Sequence, residues 1–278
     1  MIMERKKGQI RPESVLRLME KRMGGVVKGK NIQREAQDLV YDAWDVADAD
    51  EAFNLLSQAV KLDPTNVDAW LGPIDFESME DEERIEMLRK LVAMGEKNLG
   101  TKVFKEDKGH FWGLLETRPY MRARSQLALY LMELGRFEES IAEHDCMLEL
   151  NPNDNQGVRY GLMACYLAVS RLDGARRLFK QYDERKYSAV WDWAFVLERF
   201  LSGSLNDATE ALQAARKQNP HAQGYFLEHR KLPKSMPGSY SIGSREEAIM
   251  AWDILRHAWK KHPDAPTWLR AQKSGAGE

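Results

Sequence analysis

The chain has 278 residues, of which 43% are hydrophobic and 30% charged, a composition that excludes a disordered or fibrous protein and suits one or two globular domains. No apolar run reaches the ~18–20 residues of a membrane span, and the two cysteines, Cys146 and Cys165, are too few for a disulfide framework, so a reducing cytoplasm is expected. The net charge of −2 is unevenly spread: residues 1–30 hold nine Lys/Arg against three Glu, which leaves −8 for the rest.

In chain order, residues 1–30 read as a basic arm. Val15, Leu16, Leu18, Met19 and Met23 recur at helical spacing, and Gly24-Gly25 stops that short amphipathic helix. Its cations are scattered without interleaved aromatics, so a nucleic-acid role is not favoured, and a leader covering one end of the core is. Gly24–Lys30 lacks the GxxxxGK[ST] spacing of a phosphate loop.

Residues 31–263 read as one solenoid. Glu35–Ala47 is amphipathic through Ala36, Leu39, Val40, Ala43 and Trp44, and after a short turn comes Ala52-x3-Leu56-x2-Ala59-x4-Pro64. Small, large and small apolar residues followed by proline form the second-helix pattern of a tetratricopeptide repeat, because small side chains let two helices approach closely. A second unit runs through Val67–Phe76 and Glu80–Lys97, with Ile85, Leu88, Leu91 and Val92 on its buried face. Residues 98–117 then read as an insertion loop. The next unit has Leu127, Ala128 and Leu131, a Gly135-Arg136-Phe137 turn, and a helix ending at Asn151-Pro152. A fourth follows with Leu162, Tyr166, Ala175 and Phe179, and a fifth with Phe195, Ala208, Leu212 and Ala215, ending at Asn219-Pro220. Pro152 and Pro220 stand 68 residues apart, twice a ~34-residue repeat, whereas Pro64 and Pro152 stand 88 apart, which places the surplus in the insertion. Residues 221–244 are irregular, Ser244 and Glu247 signal the capping box of a last helix over Arg245–His262, and 264–278 reads as a tail. The predicted fold is all-α: about five helical hairpins stacked as a tetratricopeptide-like α-solenoid with a C-terminal capping helix.

Three segments, GHFWGLLETRPYMRAR, LELNPNDNQGVRY and NPHAQGYFLEHRKLPKSMP followed by GSREEAIMAW, resemble the soluble, mostly microbial relatives of the suppressor-of-tumorigenicity-seven family. The resemblance implies a tetratricopeptide-like scaffold and supplies no catalytic residues. The membrane segments of the animal members have no counterpart here.

The candidate binding residues cluster at the insertion. Trp112, Glu116, Arg118, Arg122 and Arg159 are read either as an anion-recognising pocket, since arginine forks bind carboxylates and phosphates, or as a brace in which Glu116, Glu138, Glu139 and Asp154 pair with the arginines; the brace is preferred. The concave groove is expected to show Arg122, Gln126, Leu129, Tyr160, Ala164, Trp193 and Leu197, a surface suited to a hydrophobic or amphipathic segment unless residues 224–243 fill it. Glu143-His144-Asp145-Cys146 cannot converge on one ion, because adjacent helical residues point about 100° apart. No metal site, cofactor or catalytic constellation is therefore read. The expected function is a non-catalytic, cytoplasmic scaffold binding a protein or peptide, the alternative being a regulator that binds a small molecule or phosphate through the arginine and tryptophan set.

Overall fold

The computed structural model describes residues 32–76 and 79–272, so the basic arm lies outside the described residues. Among them the chain is helical and free of strand. It divides into two compact units, residues 1–127 and 128–278.

In the first unit, α1 (Ile32–Asp45) and α2 (Ala49–Leu62) pack through Ala36, Val40 and Ala43 against Ala52, Leu56 and Ala59. The small residues let the helices meet, and the Leu56 side chain lies against Gly72. Asp48 caps α2 by accepting from Glu51 N at 2.9 Å, and Asp63 ends it with its own N–H on the Ala59 carbonyl at 2.8 Å. After α3 (Val67–Phe76), α4 runs Asp81–Glu106 with Ile85, Leu88, Leu91 and Val92 buried as the periodicity predicts. It is kinked at Gly100, whose φ of 70° and ψ of 165° interrupt the helix before it resumes. The insertion read as loop over 98–117 is thus helical as far as Glu106. A 3-10 turn at Phe111–Gly113 leads into α5 (Arg118–Glu133), whose residues 118–127 belong to this unit.

The second unit continues α5 from Ala128. It contains α6 (Phe137–Leu150), α7 (Val158–Ala168), α8 (Leu172–Gln181), α9 (Ala189–Leu201), α10 (Leu205–Gln218), the short α11 (Gln223–Phe226), α12 (Arg245–Lys261) and α13 (Asp264–Ala271). Its backbone repeats one device three times. Gly135, Ser170 and Gly203, 35 and 33 residues apart, have φ of 76°, 55° and 81°. Each donates to a carbonyl three residues back (Met132, Leu167, Phe200) at 3.0 Å. The next residues, Arg136, Arg171 and Ser204, donate to the carbonyls of Leu131, Tyr166 and Arg199, five back, at 2.9, 2.8 and 3.3 Å. This paired closure satisfies the last carbonyls of the preceding helix, and its left-handed residue suits glycine.

Five residues beyond each left-handed residue a small side chain is fully buried (Ser140, Ala175, Ala208), and four further on stands a large one (His144, Phe179, Leu212). His144 replaces a leucine-like residue. It is 1% exposed, Gly161 leaves room for its ring, and its Nδ1 lies 2.8 Å from the Ser140 carbonyl. Burial drives its pKa down to about 4, against the opposing pull of that carbonyl.

The end of the unit is an aromatic core. Phe226 of α11 stacks on Trp193 at 4.2 Å and 9°, and lies 5.2 Å from Trp252 and 5.0 Å from Trp259. Buried Glu247 accepts from Ala189 N (2.9 Å), Asn219 Nδ2 (3.0 Å) and Gly243 N (2.6 Å), tying α9, α10 and α12 together. The capping box at Ser244 is half formed: Ser244 Oγ accepts from Glu247 N at 3.1 Å, while the Glu247 carboxylate serves these other donors. In place of the first part of the expected tail, α13 buries Ala265 and Leu269.

Candidate functional site

The loop that opens the insertion site is anchored from beneath. Phe111 is fully buried, 5.1 Å from Phe104 and 6.1 Å from Tyr120. The buried Thr117 hydroxyl donates to the carbonyls of Phe111 and, at 3.0 Å, Leu114, so the loop is closed on itself. Trp112 and Arg118 are brought together: the guanidinium lies 5.2 Å from the indole centroid and Nε donates to the Trp112 carbonyl at 3.0 Å. Glu116 is exposed on the same loop.

Arg122 is engaged elsewhere in this unit. Its Nε donates to Asp68 Oδ1 at 2.8 Å, Nη2 donates to Asp68 Oδ2, and the guanidinium lies 4.9 Å from the Trp44 ring centroid. The Asp68 carboxylate is fully buried and also accepts from Gln37 Nε2 at 3.2 Å. Asn66 in turn donates to Gln37 and caps α3 through Ala69 N. A bidentate Arg–carboxylate pair of this kind neutralises the guanidinium in place.

In the second unit Arg159 is saturated. Its Nε donates to Glu184 Oε1 at 2.6 Å, Nη1 to Asp154 Oδ2 at 2.7 Å and Nη2 to the Tyr160 hydroxyl at 3.0 Å. Asp154 also accepts from Val158 N and Arg159 N, at 2.8 and 3.0 Å, so it caps α7 while holding the arginine. The Tyr160 hydroxyl donates to Glu184 Oε2 at 2.5 Å. Burial works against the charged guanidinium, but its bonds to Asp154 and Glu184 outweigh that and its pKa is raised. The Tyr160 hydroxyl is pushed up by burial and then by Glu184, so it stays a neutral donor.

Three of the predicted arginine-site residues are thus held by partners within their own unit, Arg118 by Trp112, Arg122 by Asp68, and Arg159 by Asp154 and Glu184. Asp154 was foreseen as a brace residue; Asp68 and Glu184 were not, because residues 54 and 25 positions distant give no local signal of pairing. The groove set is corrected in part. Trp193 is fully buried against Phe226 and Trp259, and Leu197 and Ala164 are buried as well, so none of the three lines an open surface. Residues 225–227 of the irregular segment supply part of that cover, whereas 228–242 are mostly exposed. Gln126 and Tyr160 are half-buried, and Leu129 is 46% exposed.

Ser140, His144 and Cys165 are residue types of nucleophilic catalysis, yet here they form a packing network. All three are buried. Ser140 Oγ donates to the Ala128 carbonyl at 2.7 Å and accepts from Cys165 Sγ at 3.4 Å, and burial pushes the thiol up to about 12. Among the described residues no group of three or more His, Cys, Asp or Glu could hold a metal ion, and no helix is long and apolar enough to cross a membrane. No protein-family model matches the chain, and no curated protein matches it as a relative.

Proposed function

We propose that the chain is a helical-repeat scaffold of the tetratricopeptide type, non-catalytic and cytoplasmic, that binds a peptide or helical segment of another protein. The observation that carries this reading is the recurrence of one turn device at Gly135, Ser170 and Gly203, each followed at the same interval by a buried small and then a large residue. Repeats of ~34 residues with such a seam bury one face of each helix against its neighbours and leave the first helices to meet partners. The resemblance of residues 109–258 to soluble relatives of the suppressor-of-tumorigenicity-seven family agrees with this. The free, buried Cys165 thiol is in keeping with a reducing compartment.

On this reading the contact surface includes Leu129, a large apolar side chain exposed on the first helix of its pair. The neutralised arginines act as braces that hold the helices in register. Site-specific photocrosslinking from position 129 in the native host cell tests it: a discrete protein adduct competed by excess unmodified chain is expected, and no adduct would contradict it.

A further inference from the structure

The tract after Asn219 holds an unassigned cleft of about 380 Å3 in the second unit, within the range of small-ligand sites. It differs from the arginine clusters in its charge state. Lys231 and Arg245 both line it, both are exposed, and neither makes an ion pair among the described residues. Arg245 is nonetheless held: its Nε donates to the hydroxyl of Tyr225 at 3.1 Å, and the Tyr225 ring is fully buried. The two terminal guanidinium nitrogens have no acceptor among the described residues, and they are the pair that grips a carboxylate in bidentate fashion. Pro233, Pro237 and the buried Ile249 give the cleft an apolar wall. Glu246 also lines it, and its negative charge disfavours a dianion such as a phosphate monoester more than a monoanion.

We infer that this cleft binds a carboxylate carried on an apolar body, whether the terminal residue of a peptide or a small aliphatic acid. The carboxylate lies on Arg245 and Lys231, and the apolar group lies against Pro233, Pro237 and Ile249. The inference is independent of the scaffold reading, since the cleft is built by residues 225–249 and not by the exposed first-helix surface at Leu129.

Isothermal titration of the full chain with N-acetyl-leucine, N-acetyl-leucinamide and the tetrapeptide Ala-Ala-Ala-Leu, free and amidated, tests it. Saturable binding of at least one free acid is expected, with its amide roughly tenfold weaker or more, because each charge-assisted bond lost is worth about one power of ten. The Lys231→Gln/Arg245→Gln variant is expected to lose a similar factor. Lys231→Glu alone, at an exposed position with no packing role, gives the same direction without disturbing Tyr225. A free peptide that binds as tightly as N-acetyl-leucine identifies a chain terminus as the source, and binding of the small acid alone identifies a free acid. No saturable binding of either acid, equal binding of acid and amide, or unchanged binding by the charge variants would overturn the inference.

Discussion

Asp68 and Arg122 show how much rests on a single pairing. The carboxylate is fully buried, and among the described residues the guanidinium is its sole cationic partner. Removing one member of a buried pair strands the other, which costs about 3–5 kcal/mol, whereas replacing both with apolar or neutral groups is far milder. Arg122→Ala is accordingly expected to lower unfolding stability by about 3 kcal/mol, the low end because the arginine keeps some solvent contact. Asp68→Asn/Arg122→Met should recover most of that loss in chemical denaturation. If the single and double variants lose equal stability, the pair is not the brace. His144 acts through protonation. Its pKa is about 4 in the fold against 6.5 unfolded, so the unfolded chain binds more protons between those values. The stability it permits is full above pH 6.5 and falls as the pH drops towards 4, by about 3 kcal/mol in all. His144→Leu, matching Leu212 at the equivalent position, should remove that slope: near the parent at pH 7.5 and more stable than it at pH 5 in urea titrations. Asp192, which burial raises to about 6 from 3.8, works in the opposite sense over that range, so the comparison of variant with parent is the readable quantity.

At the scale of elements, the turn device makes its own prediction. Ser170 adopts φ 55° where its counterparts are glycine, a conformation that costs a residue with a Cβ about 1 kcal/mol. Ser170→Gly should therefore raise stability by about 0.5 kcal/mol after the added freedom of the unfolded chain is counted, and Gly203→Ala should lower it by about 1 kcal/mol. Thermal unfolding reads both, and an equal response of the two positions would deny the equivalence of the turns. These elements were largely legible in the sequence, since Phe137–Leu150 and Leu205–Gln218 end at the Asn-Pro stops and Arg245–Lys261 starts at its capping signal. Two were not. Residues 98–117 read as a loop, yet the chain only kinks at Gly100 and continues as helix to Glu106. Residues 264–278 read as a tail, but proline is tolerated in a first helical turn, where its missing N–H has no intrahelical acceptor, and α13 begins at Asp264 with Pro266 in that turn. The candidate site was legible only as composition: the arginines and Trp112 stand out, but Asp68 comes from another helix and Glu184 from a loop 25 residues on. Trp193 shares the spacing of exposed groove residues, and only the placement of Phe226 reveals that it is covered.

For the molecule as a whole, the two units pose one question: whether their regular helices serve a partner or only their own stability. The buried arginine pairs, the Glu247 brace and the Ser140–His144–Cys165 network all serve the fold, and each is saturated by groups of this chain. What remains for a partner is exposed surface, of which Leu129 is the element most directly tied to the repeat reading. A photoreactive amino acid placed at position 129 of the full chain, with a control at the exposed Glu210 on the second helix of a later pair, tests this in the native host cell. A discrete protein adduct from position 129 that is competed by excess unmodified chain and absent from position 210 is the predicted result. No adduct from position 129, or the same adducts from both positions, would contradict the account.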